Sequence, residues 1–292
     1  MHNISKNSVY TKGAARFSYL VYLVIKDRDL LKQDVEHSRF IGFQRGQLGH
    51  MGDRNWSTTA VCVARQPVQK LVAISEDGDV FTYAAGKAGD EVIKPTPVVL
   101  RGLGVVDGYP IACGMKRQVY RRIADDTWVE MHAPPPREGE NAGFEAIAGF
   151  NINEMYAVGW NGEIWEWNGQ AWLNQTSPTN LILTAVCCGD DGNVYVCGQN
   201  GTLIQGRNDS WNLVPLEDIA EDLWDLCWFE RKLYLATMTS LYVMTGANVA
   251  PVHFGPDRPA TCGKLTAAEG VMWSIGSDDV FSFDGKQWMR ID

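Results

Sequence analysis

The sequence predicts an all-β fold, a single β-propeller, on three observations: a hairpin-rich central stretch, a fixed repeat length and aligned columns of residue types. The stretch Met155-Tyr-Ala-Val-Gly-Trp-Asn-Gly-Glu-Ile-Trp-Glu-Trp-Asn-Gly-Gln-Ala-Trp172 reads as two short strands, Met155–Gly159 and Glu163–Trp167. They are joined at Asn161-Gly162, a dipeptide that tolerates the positive φ of a tight hairpin turn. A second such turn, Asn168-Gly169, leads to a third strand around Trp172. With the middle of this turn as a marker, the repeats fall at Asp77, Lys116, Asn161, Asn200, Thr239 and Asp278, spaced by 39, 45, 39, 39 and 39 residues. The long interval holds the Pro-rich insertion Ala133-Pro-Pro-Pro-Arg-Glu-Gly-Glu140. A period near 40 with four short strands per unit is the signature of propeller blades.

Taking each blade's strands as A to D from the inside outwards, every column can be followed along the chain. Strand A carries small residues at Ala60-Val-Cys62, Ala146-Ile-Ala148, Ala185-Val-Cys187 and Asp225-Leu-Cys227, as suits the crowded strand beside a central channel. Strand B reads Leu71–Ile74, Pro110–Cys113, Met155–Val158, Tyr195–Cys197, Leu233–Ala236 and Met272–Ile275, followed by Gly at 114, 159, 198 and 276. Strand C is apolar and aromatic, with Phe81, Tyr120, Trp165, Ile204, Tyr242 and Phe281, and strand D carries Trp128, Trp172, Trp211 and Trp288. An aromatic column shared by several blades predicts packing between blades.

Residues 1–56 are less regular. Phe17–Ile25 and Arg39–Phe43 read as strands, separated by the charged run Lys26–Ser38 where a regular unit has a tight turn. This predicts a divergent first blade with an enlarged B–C loop, followed by six regular blades of about 39 residues over 57–292, one domain of seven blades in all. The competing count is six blades with an N-terminal hairpin packed on the ring. Because the last unit ends in its own strand D, Gln287–Ile291, nothing requires the N-terminus to complete it.

Composition narrows the function. The 292 residues carry a formal charge of −9, which disfavours a nucleic-acid or anionic-membrane partner, since phosphate contacts need clustered Lys and Arg. A basic protein partner fits that charge. The seven cysteines sit mostly in apolar strand-like runs, as small core residues do, and together with the absence of an apolar leader in Met1–Ala15 they predict a cytoplasmic setting. Ser18–Ile25 is too short to span a bilayer.

The run Met155–Trp172, followed by Asn193-Val-Tyr-Val-Cys-Gly-Gln-Asn-Gly-Thr-Leu203, resembles bacterial propellers of the WD40/YVTN-like superfamily, whose blades repeat aromatic-Ala-Val-Gly-x-Asn-Gly-x-Ile. The resemblance covers 57–292. Strict WD40 repeats carry a Gly-His and a Trp-Asp per blade, whereas the one Trp-Asp here, Trp224-Asp225, falls on strand A. The resemblance implies fold, because this superfamily hosts scaffolds, adaptors, assembly factors and enzymes.

The search for chemistry returns no catalytic constellation, cofactor motif or metal site. The five histidines, His2, His37, His50, His132 and His253, lack ligand-spaced companions. Cys187-Cys188 are strand neighbours pointing to opposite faces. The pairs Asp125-Asp126, Asp190-Asp191 and Asp278-Asp279 fall at turns, where Asp hydrogen-bonds its own backbone. Ser75-Glu-Asp77-Gly-Asp approaches the sialidase box Ser-x-Asp-x-Gly-x-x-Trp but misses its Gly. The reading these observations support is a non-catalytic protein-binding module, in its specific form an immunity protein (antitoxin) capping a bacterial effector with a basic domain. The alternatives are an adaptor or assembly-factor scaffold, or a glycosidase or lyase working in the central channel.

Candidate binding residues follow from the columns. The position after strand B reads Glu76, Met115, Trp160, Gln199, Met238 and Ser277, with no shared chemistry, so Trp160, Met115 and Met238 are expected on the exposed B–C rim. The D–A loops open on the same face, and one of them bears the acidic run of Glu217, Asp218, Glu221 and Asp222. Irregular loops collect on that face, as they do on the binding faces of repeat proteins.

Overall fold

A computed structural model describes residues 4–291. Seven four-stranded antiparallel sheets, at 8–54, 60–92, 100–130, 144–175, 183–213, 225–251 and 264–290, stand as blades around a central channel. The seven-blade expectation holds. The six-blade alternative fails because 8–54 form a complete sheet of their own. The expected strands A to D fall where the columns put them, and blade 7 is completed by its own outer strand, Trp288–Arg290. The ring closes by direct packing of the inner strand of blade 1, Ser8–Phe17, against the inner strand of blade 7, Lys264–Ala268.

The expectation of one strand over Phe17–Ile25 is corrected. The chain turns at Ser18-Tyr19, so Phe17 ends the inner strand and Leu20–Asp27 is strand B. Neither turn residue is Gly, Asn or Asp, which hid the turn. The inner strand itself was concealed by polarity, because Lys12 and Arg16 face the channel rather than a core. The charged run after it is the expected B–C loop, containing the short helix Arg28–Lys32, whose N-cap Asp27 accepts from the backbone N–H groups of Asp29 and Leu30.

The core is divided by interface. Seven hydrophobic clusters each join two neighbouring blades. Blades 3 and 4, for example, meet through Ile111, Cys113 and Val119 on one side and Phe144, Met155 and Trp165 on the other. The strand C aromatics Phe81, Tyr120, Trp165 and Phe281 are buried there, as their column predicts. All seven cysteines are free, five of them buried and Cys187 and Cys188 partly so, and burial pushes their thiols above the usual range.

The glycines after strand B have a common cause. A Cβ on Gly114, Gly159, Gly198 or Gly276 would lie 2.1–2.3 Å from a carbonyl oxygen of the incoming D–A loop. Strand ends and D–A loops are therefore in backbone contact, which fixes the loops of that face on the scaffold.

Candidate functional site

Two features could recognise a ligand: the face formed by the B–C turns and D–A loops, hereafter the turn face, and the channel that opens onto it. On the turn face, Met115, Trp160, the acidic loop and Met238 lie along an arc over blades 3 to 6. Met115 and Trp160 are joined through Gly143, which bridges Met115 and whose carbonyl accepts from the Trp160 N–H at 3.0 Å. Trp160 is half-buried rather than free: its indole Nε1–H donates to Glu145 Oε1 at 2.6 Å. Met115 is likewise half-buried, while Met238 is 50% exposed.

The acidic loop is a fixed element. Ile219 is buried between blades 5 and 6, the Gly201 N–H donates to the Glu221 carbonyl at 2.8 Å, and the Asn200 N–H donates to Asp222 Oδ1 at 2.9 Å. These contacts leave Glu217, Asp218 and Glu221 exposed and Asp222 half-buried. The Pro-rich insertion is anchored too, through the buried Arg117. Its Nε donates to Glu163 of blade 4 at 2.8 Å, and its Nη1 donates to the Pro134 carbonyl at 3.1 Å. Asp190 and Asp191 sit on the opposite face. There Asp190 accepts from Trp228 Nε1 at 2.7 Å and Asp191 from Tyr195 Oη at 2.7 Å.

Sequence reasoning placed a central channel but missed its charged lining; the cavity measures about 820 Å³. In the inner strands of blades 3, 4 and 5 a register shift leaves one extra residue, Arg101, Glu145 and Thr184 respectively, just inside the turn-face mouth. Bulges of this kind re-aim a side chain without altering the apolar pattern around it, so no periodicity announces them. Asp225 of blade 6, Lys264 of blade 7 and Lys12 of blade 1 complete a charged belt. Arg16, Arg65 and Asp107 line the other end. Among the described residues, five cations thus face three carboxylates, inside a molecule whose formal charge is −9.

Among the described residues no group of three or more His, Cys, Asp or Glu side chains is placed to hold a metal ion, and no helix is long and apolar enough to cross a membrane.

Fold and site together define a seven-bladed propeller that offers anchored loops on one face and a charged channel behind them. The comparisons with known proteins place it further: the chain is 41% identical to the immune protein Tsi7 of Pseudomonas aeruginosa PAO1 over 293 aligned residues, covering 96% of each, and it belongs to the family of that protein. No protein-family model matches it. Among solved structures, a catalytically inactive virginiamycin B lyase from Staphylococcus aureus superposes with a TM-score of 0.78 at 8% identity, over 96% of this chain and 95% of the lyase. The computationally designed protein Ika8 gives 0.64 at 12% identity over 98% and 86% of the two chains, and YCF48 bound to D1 peptide gives 0.56 at 10% over 76% and 77%. At such identities these structures share the propeller fold alone.

Proposed function

We propose that this chain is a cytoplasmic immunity protein that binds a cognate effector without catalysis, using its turn face. The observation that carries the reading is the full-length relationship to an immune protein, 41% identical over 96% of both chains. Architecture supports the same reading. Recognition residues in propellers are free to vary on loops while the blades stay constant, and the longest loops of this chain all open on one face. Exposed Glu217, Asp218 and Glu221 give that face a negative arc suited to a basic partner surface.

The test is isolation of the protein from its source under mild conditions, followed by co-expression with whatever co-purifies. A stoichiometric protein partner whose toxicity is suppressed by this chain is the expected result. Purification without a partner, together with failure to protect cells from the product of the adjacent gene, overturns the reading.

A further inference from the structure

The belt at the turn-face mouth of the channel is electrostatically incomplete. Each of its two acids is already engaged. Glu145 accepts from Trp160 Nε1 at 2.6 Å and pairs with Arg101 at 3.8 Å. Asp225 accepts from the backbone N–H groups of Leu226 and Leu265, both at 3.0 Å, and pairs with Lys264 at 4.0 Å. Among the described residues, Lys12 reaches neither acid within ion-pair distance and makes no side-chain hydrogen bond. Its ammonium is held down to about 8, first by burial in the channel wall, then by Lys264, with Asp225 and Glu145 opposing and Lys26 adding to the repulsion. Lys26 itself is occupied by Ser57, which in turn donates to Glu36. Among the described residues of the belt, one cation is therefore left without a counter-charge, in a cavity that it shares with Arg101 and Lys264 and that is large enough to admit an anion and its water.

We propose that this mouth of the channel is a binding site for a small divalent oxyanion, held chiefly by Lys12 with Arg101 and Lys264. The inference does not rest on the effector reading and is tested on the isolated chain.

Sulfate is the probe, because its own charge does not change near neutral pH, and succinate is the carboxylate counterpart. By titration calorimetry in low-salt chloride buffer, sulfate is expected to bind the wild-type chain. Lys12→Met should weaken binding at least about tenfold. Affinity should fall about tenfold from roughly pH 7 to pH 9 as an ammonium with a pKa of about 8 deprotonates. Binding near that pKa should also take up a proton, seen as an enthalpy that varies with the buffer's ionisation heat.

Lys12→Arg should bind without this pH dependence. Glu145→Gln, which keeps an oxygen for Trp160, should bind a few-fold more tightly. The change in pH dependence would not be seen if Lys12 were merely structural. Absence of binding by both sulfate and succinate overturns the proposal, as does sulfate binding that Lys12→Met leaves unchanged.

Discussion

Among single residues, Glu145 and Lys12 set the character of the channel mouth, one tied to the rim and one held in the wall. Trp160 was recognisable as a rim residue because its column shares no chemistry from blade to blade, and the structure puts it there. That its indole is tied to Glu145 was not recognisable, because the carboxylate reaches it through a bulge in a different strand. Lys12 is the sharper case. A lysine in a polar N-terminal segment looks solvated, yet the ring encloses it, and desolvation then disfavours its charged form. The sign is clear: the folded value lies below the ordinary 10.5, so protonated Lys12 destabilises the fold at pH below about 8. That cost disappears as pH rises towards the ordinary value. Lys12→Met should therefore stabilise the protein at neutral pH in anion-free buffer, on the order of 1–2 kcal/mol after allowing for water in the channel. The gain should shrink to nothing near pH 10.5. Thermal melts of both proteins across that range check it, and a difference independent of pH would show that the side chain packs rather than repels.

At the scale of the element, the regular hairpins were legible and the first blade only partly. Asn-Gly turns and aromatic columns are local signals, so strands B, C and D followed from pattern alone. Inner strands pack both faces against neighbouring blades while polar side chains reach the channel along their edge, which removes the alternation that marks a half-buried strand; Ser8–Phe17 escaped notice for that reason. The acidic loop is held by a contact that invites a paired test. Gly201 has φ +65°, and a Cβ there would lie 1.9 Å from the Ile219 carbonyl oxygen. Gly246, in the C–D turn of blade 6, has φ +61° and open space around it. Alanine at Gly246 should cost about 1 kcal/mol, the price of a left-handed backbone alone. Alanine at Gly201 adds displacement of the loop and of buried Ile219, and should cost about 2 kcal/mol more. Urea midpoints distinguish the two, with proteolysis at 217–222 rising only in Gly201→Ala. Equal costs would mean that the loop yields freely and is not anchored by this contact.

Across the whole molecule, each blade buries its apolar face only against its neighbours, so the seven interfaces carry the fold while both faces remain free to vary. Free variation alone does not say which face binds; the proposal of the turn face draws on loop placement. The helix-bearing loop of blade 1, the Pro-rich insertion and the acidic loop all open on the turn face, two of them anchored by buried Arg117 and Ile219. An anchored loop loses little conformational freedom on binding, which favours affinity. With an effector in hand, neutralising Glu217, Asp218, Glu221 and Asp222 together should slow association, and the effect should fade with added salt because exposed charges are screened beyond roughly 8–10 Å. Trp160→Ala should instead speed dissociation, by about 1–2 kcal/mol in affinity, since a half-buried indole contributes packing more than steering. Asn at Asp190 and Asp191, across the ring, should leave both rates unchanged. Stopped-flow association and surface-resonance dissociation separate these outcomes. Loss of binding from the Asp190 side alone would move the interface to the opposite face, and with it the role assigned to every loop named here.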